Sequence, residues 1–268
     1  MDFIIPIITM SALGFILSIG LAFAYRKLRV KEDPTVEKIA ELLPQANCGA
    51  CGYSGCRAFA EALVKGEANP DKCSVGGEET ANKISNILGV EAGGIIKKVA
   101  RVHCRGSIKV TEKRGIYTGI TTCHAAHLVG GNKQCFFGCL GFGDCVKACP
   151  FDAIYMSKEG LPVVKEDKCT GCGKCVDACP RNILELHPID QEILVFCRSN
   201  DRGPTARKVC KNACIGCGIC VRACPEAIVL ENYLAKIIDY KKISPDKIPL
   251  IEKCPTNSIG RIHNKNEE

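Results

Sequence analysis

The pattern of apolar and polar positions opens on one uniform run: from Phe3 to Tyr25 no side chain carries charge. As a helix these 23 residues would rise about 34 Å, enough to cross a hydrocarbon core of about 30 Å. The run predicts a membrane-spanning helix, and with only Met1 and Asp2 ahead of it the basic leader of a cleaved signal peptide is missing. Arg26, Lys27, Arg29 and Lys31 follow directly, so positive charge retained on the inner side predicts a single-pass anchor in the inner membrane of a prokaryote, with the rest of the chain in the cytoplasm. Ser11, Gly14, Ser18 and Ala22 recur at three- or four-residue steps. Such a stripe lets a second helix approach closely, though small residues are also common in membrane helices generally, and both readings stand. No ionisable residue lies inside the run, so it anchors rather than transports.

Past the anchor the helical pattern is brief. Asp33-Pro34-Thr35 reads as a helix cap, followed at helical spacing by Val36, Ile39, Leu42 and Leu43, and Arg57 to Leu63 predicts a second short helix. Elsewhere the apolar runs are short. Of 268 residues 21 are Cys, none is Trp, and Phe plus Tyr number only 15. There is little bulk for an ordinary enzyme core, and something besides apolar packing must hold the fold. In a reducing compartment a dense cysteine pattern points to metal rather than to disulfides.

Three blocks carry the cysteines. The first is Cys48-Gly-Ala-Cys51-Gly-Tyr-Ser-Gly-Cys56, with Cys73 after sixteen residues. Its glycines would let backbone N–H groups reach the sulfurs of a bulky cluster, and a four-cysteine zinc knuckle is the other reading of the spacing. The second, Cys169-Thr-Gly-Cys172-Gly-Lys-Cys175-Val-Asp-Ala-Cys179-Pro180, is the C-x2-C-x2-C-x3-C-P run of bacterial ferredoxins, whose last Cys ligates the other cluster of a pair. Upstream lie Cys135, Cys139, Cys145 and Cys149-Pro150, with Phe142 where the run would hold its middle Cys. Cys135 is the natural substitute ligand.

The third block repeats the second. Cys210, Cys214, Cys220 and Cys224 each follow Cys135, Cys139, Cys145 and Cys149 by 75 residues, and Cys254-Pro255 follows Cys179-Pro180 by the same step. Four Cys-Pro corners in two pairs predict two tandem ferredoxin-like lobes. The offset also lands Cys169, Cys172 and Cys175 on Ser244, Lys247 and Leu250, so the second lobe is half-degenerate. The expected 4Fe-4S ligand sets are Cys48, Cys51, Cys56 and Cys73; Cys135, Cys139, Cys145 and Cys179; Cys149, Cys169, Cys172 and Cys175; and Cys214, Cys217, Cys220 and Cys254. Cys104, Cys123, Cys197, Cys210 and Cys224 are left over. A fifth cluster among them is open, as is a role as small core residues. Cys104 and Cys197 sit in the similar strings Val102-His103-Cys104-Arg105 and Val195-Phe196-Cys197-Arg198.

The fold expected is therefore α+β. Its parts are a transmembrane anchor with its basic flank over 1–30, a small helical 4Fe-4S domain over 31–95, a two-cluster ferredoxin-like lobe over 96–190 and the half-degenerate lobe over 191–268. His124 and His127 read as surface or loop residues. No phosphate-binding or dinucleotide fingerprint follows a predicted strand, and no basic run interleaved with aromatics suggests nucleic acid. No residue is a candidate acid, base or nucleophile.

This order of parts, an amino-terminal membrane helix, a C-x2-C-x4-C-x16-C domain and then ferredoxin-like Cys-Pro motifs, resembles the B subunit of the Rnf complex, a membrane-bound ion-pumping ferredoxin:NAD oxidoreductase. The resemblance implies a subunit that accepts electrons from soluble reduced ferredoxin on the cytoplasmic side. It would relay them through several 4Fe-4S clusters to other membrane and peripheral subunits, towards NAD reduction coupled to Na+ or H+ transport. A membrane-tethered polyferredoxin serving another reductase uses the same motifs, and a zinc-binding scaffold is the reading from a different class. The formal charge of +7 counts every thiol as neutral. Four clusters of about two negative charges each bring it to about −1, which removes the apparent basic signal.

Overall fold

A computed structural model of the chain describes residues 4–28, 33–91, 93–94 and 96–262. Phe3, at the head of the apolar run, and Arg29 and Lys31 of the basic flank lie outside them. The run forms helix α1, Ile4–Leu28. From Ile7 to Lys27 it is long and apolar enough to cross a membrane, and none of it is buried against the rest of the chain. A 25-residue helix that leaves Met10, Phe15 and Leu21 bare has an apolar surface that water would not stabilise, and lipid would.

Three helices follow. In α2, Pro34–Leu42, the Asp33 carboxylate accepts the Thr35 N–H at 2.8 Å, and Pro34 occupies the first helical position, where no N–H is needed. Helix α3, Cys56–Val64, packs across it, and α4, Gly77–Leu88, ends at Gly89 in the left-handed region at φ 67°. Ile39, Phe59, Leu63 and Ile84 form the buried centre of this bundle.

The remainder is small sheets and single-turn helices. Strand β1, Lys98–Val102, leads through α5 (Cys123–Leu128) and α6 (Asp144–Lys147) to the hairpin of β2 (Ile154–Met156) and β3 (Pro162–Val164). Helix α7, Lys174–Asp177, then precedes β4, Leu184–Pro188, which returns antiparallel beside β1 with Lys98 opposite Pro188. The pattern recurs. Strand β5 (Ile193–Val195) is followed by α8 (Gly203–Val209), α9 (Ile219–Ala223) and the hairpin of β6 (Ile228–Glu231) and β7 (Leu234–Ile237). Helix α10, Ile248–Ile251, leads into β8, Ile259–Arg261, which pairs antiparallel with β5. This is a mixed helix-and-strand chain with one apolar amino-terminal helix.

Candidate metal centres

The single-turn helices α6, α7 and α9 share one local device. Each is preceded by a glycine at positive φ, Gly143 at 77°, Gly173 at 81° and Gly218 at 72°, and the residue two before it is also a left-handed glycine. Two left-handed turns in three residues wind the backbone so that its N–H groups face inward, a concavity suited to anionic sulfur. At Gly171 the fit is closest, since a Cβ there would strike the Lys98 carbonyl oxygen. After the helix the Cys-Pro corner turns the chain away. Asp152, Asn182 and Asn257 take φ near 50° three residues after Cys149, Cys179 and Cys254. The corner at Cys224 lacks this, with Ala227 in that place.

The cysteines gather around five cavities. Cys48, Cys51, Cys56 and Cys73 line one, between α2, α3 and the loop before α4. Cys149, Cys169, Cys172 and Cys175 line another, and Cys214, Cys217, Cys220 and Cys254 a third. The remaining two differ from the sequence expectation. Cys139, Cys145 and Cys179 share their cavity with Cys123, not with Cys135. Cys123 opens α5, which the Thr122 hydroxyl caps by accepting the Ala125 N–H at 3.2 Å. The Asp144 carboxylate at the head of α6 accepts the Cys123 N–H at 2.8 Å. Phe142, at the position of the missing cysteine, packs edge-on against Tyr117 at 5.2 Å and seals the same small cluster. A distant helix thus supplies the thiol that the local motif lacks.

Cys135 instead joins Cys104, Cys197 and Cys210 around the fifth cavity. The two similar strings that carry Cys104 and Cys197 meet there. Arg105 N–H donates to the Phe196 carbonyl at 3.2 Å, and the Arg105 guanidinium lies 3.5 Å over the Phe196 ring. Of the five cysteines expected to be left over, Cys104, Cys197 and Cys210 fall in this cavity, Cys123 falls in the other, and Cys224 lies in neither. Cys224 is fully buried, its thiol directed at the Lys242 carbonyl at 3.7 Å, and it packs with Ala227, Ile248 and Ile251. Cys169, Cys172 and Cys175 lie on the glycine turn that leads into α7, whereas the positions 75 residues on lie at and just before α10, whose Ile248 and Ile251 fill the space against Cys224. The signal that could have found the fifth group was its symmetry: Cys135 and Cys210 are 75 residues apart, and Cys104 and Cys197 sit in the paired strings.

The donor sets fit iron-sulfur clusters. Among the described residues, no carboxylate lines any of the five cavities. Backbone N–H groups point at sulfur, Ala100 to Cys169 at 3.4 Å, Ile183 to Cys179 at 3.3 Å and Cys214 to Cys197 at 3.2 Å. Burial pushes the thiols of Cys139, Cys175 and Cys197 up to about 12 and that of Cys135 to about 11. Four thiolates in so dry a space require a cationic core between them. Two buried cations stand beside these cavities with no carboxylate partner among the described residues. Lys133 donates to the Gly106 carbonyl at 2.7 Å, and Arg181 donates to the carbonyls of Cys135, Gly138 and Gly130 at 3.0, 2.9 and 2.9 Å. The net negative charge of a thiolate-bound cluster would balance both.

One further cluster of polar groups, His103, Glu185 and His187, was not legible in the sequence. Burial first, then the Arg198 charge, holds the His103 imidazole down to about 4, and the Glu185 carboxyl is held to about 2, chiefly by the neighbouring His187. His124 and His127 are exposed on α5.

A chain whose cysteines close into four-thiol pockets behind Cys-Pro corners, with an apolar helix ahead of them, is a membrane-anchored multi-centre protein of the 4Fe-4S ferredoxin type. Comparison with known families agrees. A family model for an Fe-S cluster matches residues 43–75, and two models for 4Fe-4S dicluster domains match 137–186 and 168–228. The chain is 46% identical over 259 residues to the B subunit of the Na+-translocating ferredoxin:NAD+ oxidoreductase complex of Acetobacterium woodii, covering 96% of this chain and 77% of that protein. It is 41% identical over 262 residues to the B subunit of the proton-translocating ferredoxin:NAD+ oxidoreductase complex of Clostridium ljungdahlii, covering 97% and 92%. With the B subunit of the ion-translocating oxidoreductase complex of Methanosarcina acetivorans it shares 39% over 206 residues, 76% and 78% of the two chains. The chain belongs to the family of B subunits of ion-translocating ferredoxin:NAD+ oxidoreductase, or Rnf, complexes.

Proposed function

We propose that this chain is the cytoplasmic electron relay of such a complex, held to the inner membrane by a single pass of α1. It takes electrons from reduced soluble ferredoxin and hands them to the partner subunits, towards NAD reduction coupled to ion transport. In this reading residues 31–95 form the small cluster domain, and 96–190 and 191–268 are tandem ferredoxin-like lobes, supported by the repeated strand pairing β1–β4 and β5–β8. The cavities are then five 4Fe-4S sites, held by Cys48, Cys51, Cys56 and Cys73; Cys149, Cys169, Cys172 and Cys175; Cys123, Cys139, Cys145 and Cys179; Cys104, Cys135, Cys197 and Cys210; and Cys214, Cys217, Cys220 and Cys254. A bound cluster supplies one-electron transfer with little change of geometry.

The observation that carries the reading is that neighbouring cavities share elements and so line up. Cys48 is close enough to add to the rise of the Cys172 thiol, which burial dominates. Helix α6 and its corner carry Cys145 and Cys149 into different cavities, and α7 does the same with Cys175 and Cys179. Cys139 N–H then reaches Cys104 Sγ at 3.5 Å, and Cys214 N–H reaches Cys197 Sγ at 3.2 Å. The order is the Cys48 group, the Cys169 group, the Cys139 group, the Cys104 group and the Cys214 group. The first follows α1 directly, and the last contains Cys217, the one exposed cysteine of the chain. Electrons from ferredoxin therefore come in at Cys217 and leave beside the membrane. The span of α1 holds no ionisable side chain ahead of Tyr25, so the ion path belongs to other subunits.

Cys48→Ala in the assembled complex tests this. Ferredoxin-driven NAD reduction is expected to stop while the other four groups remain reducible. Unchanged activity of the complex would refute the relay.

A further inference from the structure

We propose that His103, His187 and Glu185 form a binding site for a single divalent transition-metal ion, of which zinc is the best match, separate from every cysteine cavity. The three come from different places: His103 follows β1 directly, and Glu185 and His187 lie on β4, 84 residues further along the chain in the case of His187.

The hydrogen bonds define where the lone pairs are. His103 Nδ1 lies 2.8 Å from the Val195 carbonyl oxygen, which can only accept, so Nδ1 carries the hydrogen and Nε2 the lone pair. His187 Nδ1 lies 3.0 Å from Gln191 Oε1, and the Gln191 amide is oriented by donating its Nε2 hydrogen to the Ile193 carbonyl at 2.9 Å. His187 therefore also presents a bare Nε2. The two Nε2 atoms face each other at 2.8 Å. Two lone pairs this close repel unless a positive charge is shared between them.

The third group makes that charge a metal ion. Glu185 Oε2 is 3.3 Å from His103 Nε2 and 3.5 Å from His187 Nε2. With metal-to-ligand distances of about 2.0 to 2.1 Å, the edge of a zinc tetrahedron is about 3.3 Å, so the observed triangle of 2.8, 3.3 and 3.5 Å needs only a small opening of the imidazole pair. Two imidazole nitrogens and a carboxylate oxygen are a donor set that suits zinc. Each ligand has the outer partner such ligands use: a carbonyl for His103, an amide oxygen for His187, and Arg198 on the other carboxylate oxygen of Glu185. His103 is buried, whereas His187 and Glu185 are partly exposed, which leaves a way in from solvent and a fourth position for water. The ion would tie the β1–β4 pair to the β5 segment that provides Val195, Gln191 and Ile193, and so brace the approach to Cys104 and Cys197, the neighbours of His103 and Arg198.

The experiment uses the full chain, purified without oxygen with its iron in place, exposed to zinc chloride and desalted, with zinc and iron per chain measured together. About one zinc per chain is expected in the native protein. At least a tenfold loss of zinc is expected in His187→Gln and Glu185→Gln, at unchanged iron. A native protein that retains no zinc, or variants that retain it equally, would overturn the site and leave a shared proton between the two rings. If the variants lose iron as well, zinc-edge X-ray absorption on the native protein decides. A shell of nitrogen and oxygen at about 2.0 to 2.1 Å supports the site, and sulfur at about 2.3 Å overturns it, since that is zinc in a cysteine cavity.

Discussion

The assignment of Cys123 and Cys135 to different cavities makes a quantitative prediction, because iron content counts cavities rather than cysteines. On the proposed assignment, five four-thiol sites would hold about twenty iron atoms per chain, and disabling one would remove about four. Single Cys123→Ser, Cys135→Ser and Cys197→Ser variants are each expected near sixteen. The double variants separate the geometries, since two changes in one site act once and changes in separate sites add. Cys135 and Cys197 line the same cavity, so their double variant stays at about sixteen. Cys123 lies with Cys139, Cys145 and Cys179, so Cys123→Ser combined with Cys135→Ser falls to about twelve. Iron analysis against protein determined by amino-acid content, with integrated electron spin resonance of the reduced samples, reads both values. The reasoning is refuted if the Cys123 and Cys135 double variant holds about sixteen and the Cys135 and Cys197 double variant about twelve. That result would return Cys135 to the site that local spacing assigns it. A native content near sixteen would remove the fifth site altogether.

Three further outcomes follow from individual contacts. Cys224→Ala should keep all of the iron and cost only about 1 kcal/mol, as for a small buried side chain shortened by one atom; iron loss would make Cys224 a ligand. Gly171→Ala places a Cβ against the Lys98 carbonyl at φ +69°, a left-handed conformation that costs about 1 to 2 kcal/mol before the clash, and should shed about four irons from the flanking Cys169 and Cys172 site. A fully loaded Gly171→Ala variant would contradict that close approach. Arg181→Met leaves three buried carbonyls without their donor. A loss of about 3 kcal/mol, read as roughly hundredfold faster hydrogen exchange across residues 130–139, is expected, and unchanged protection would show that the guanidinium does not hold this loop.

Short-range chemistry was legible in the sequence, as was the crossing of Cys149, Cys179 and Cys254 to distant ligand sets, but closure between segments outside those motifs was not. Thiols at steps of three residues with left-handed glycines between them sit on one tight turn and face one space. Hence spacing alone grouped Cys169 with Cys172 and Cys175, and Cys48 with Cys51, and the fold gathers each set around one cavity. The same holds for the apolar run of α1, whose length and lack of charge are properties of composition. Cys135 is the opposite case. It lies four residues before Cys139, near enough in sequence to look like its co-ligand, yet Gly138 and the bonds from Arg181 turn the chain between them so that the two thiols face different spaces. Cys123 supplies the thiol missing at Phe142 only because Asp144 draws the head of α5 onto α6.

The group of Cys104, Cys135, Cys197 and Cys210 and the facing pair of His103 and His187 depend on the pairing of β1 with β4 and on the meeting of Arg105 with Phe196. Those contacts join residues about 90 apart. Such contacts form when the apolar faces of separate strands are buried together, and no local pattern of residues encodes which thiol or imidazole will then find itself opposite another. The charge balance moves with them. The proposed fifth site would add about two negative charges, so the formal +7 would become about −3 rather than −1 in the loaded protein.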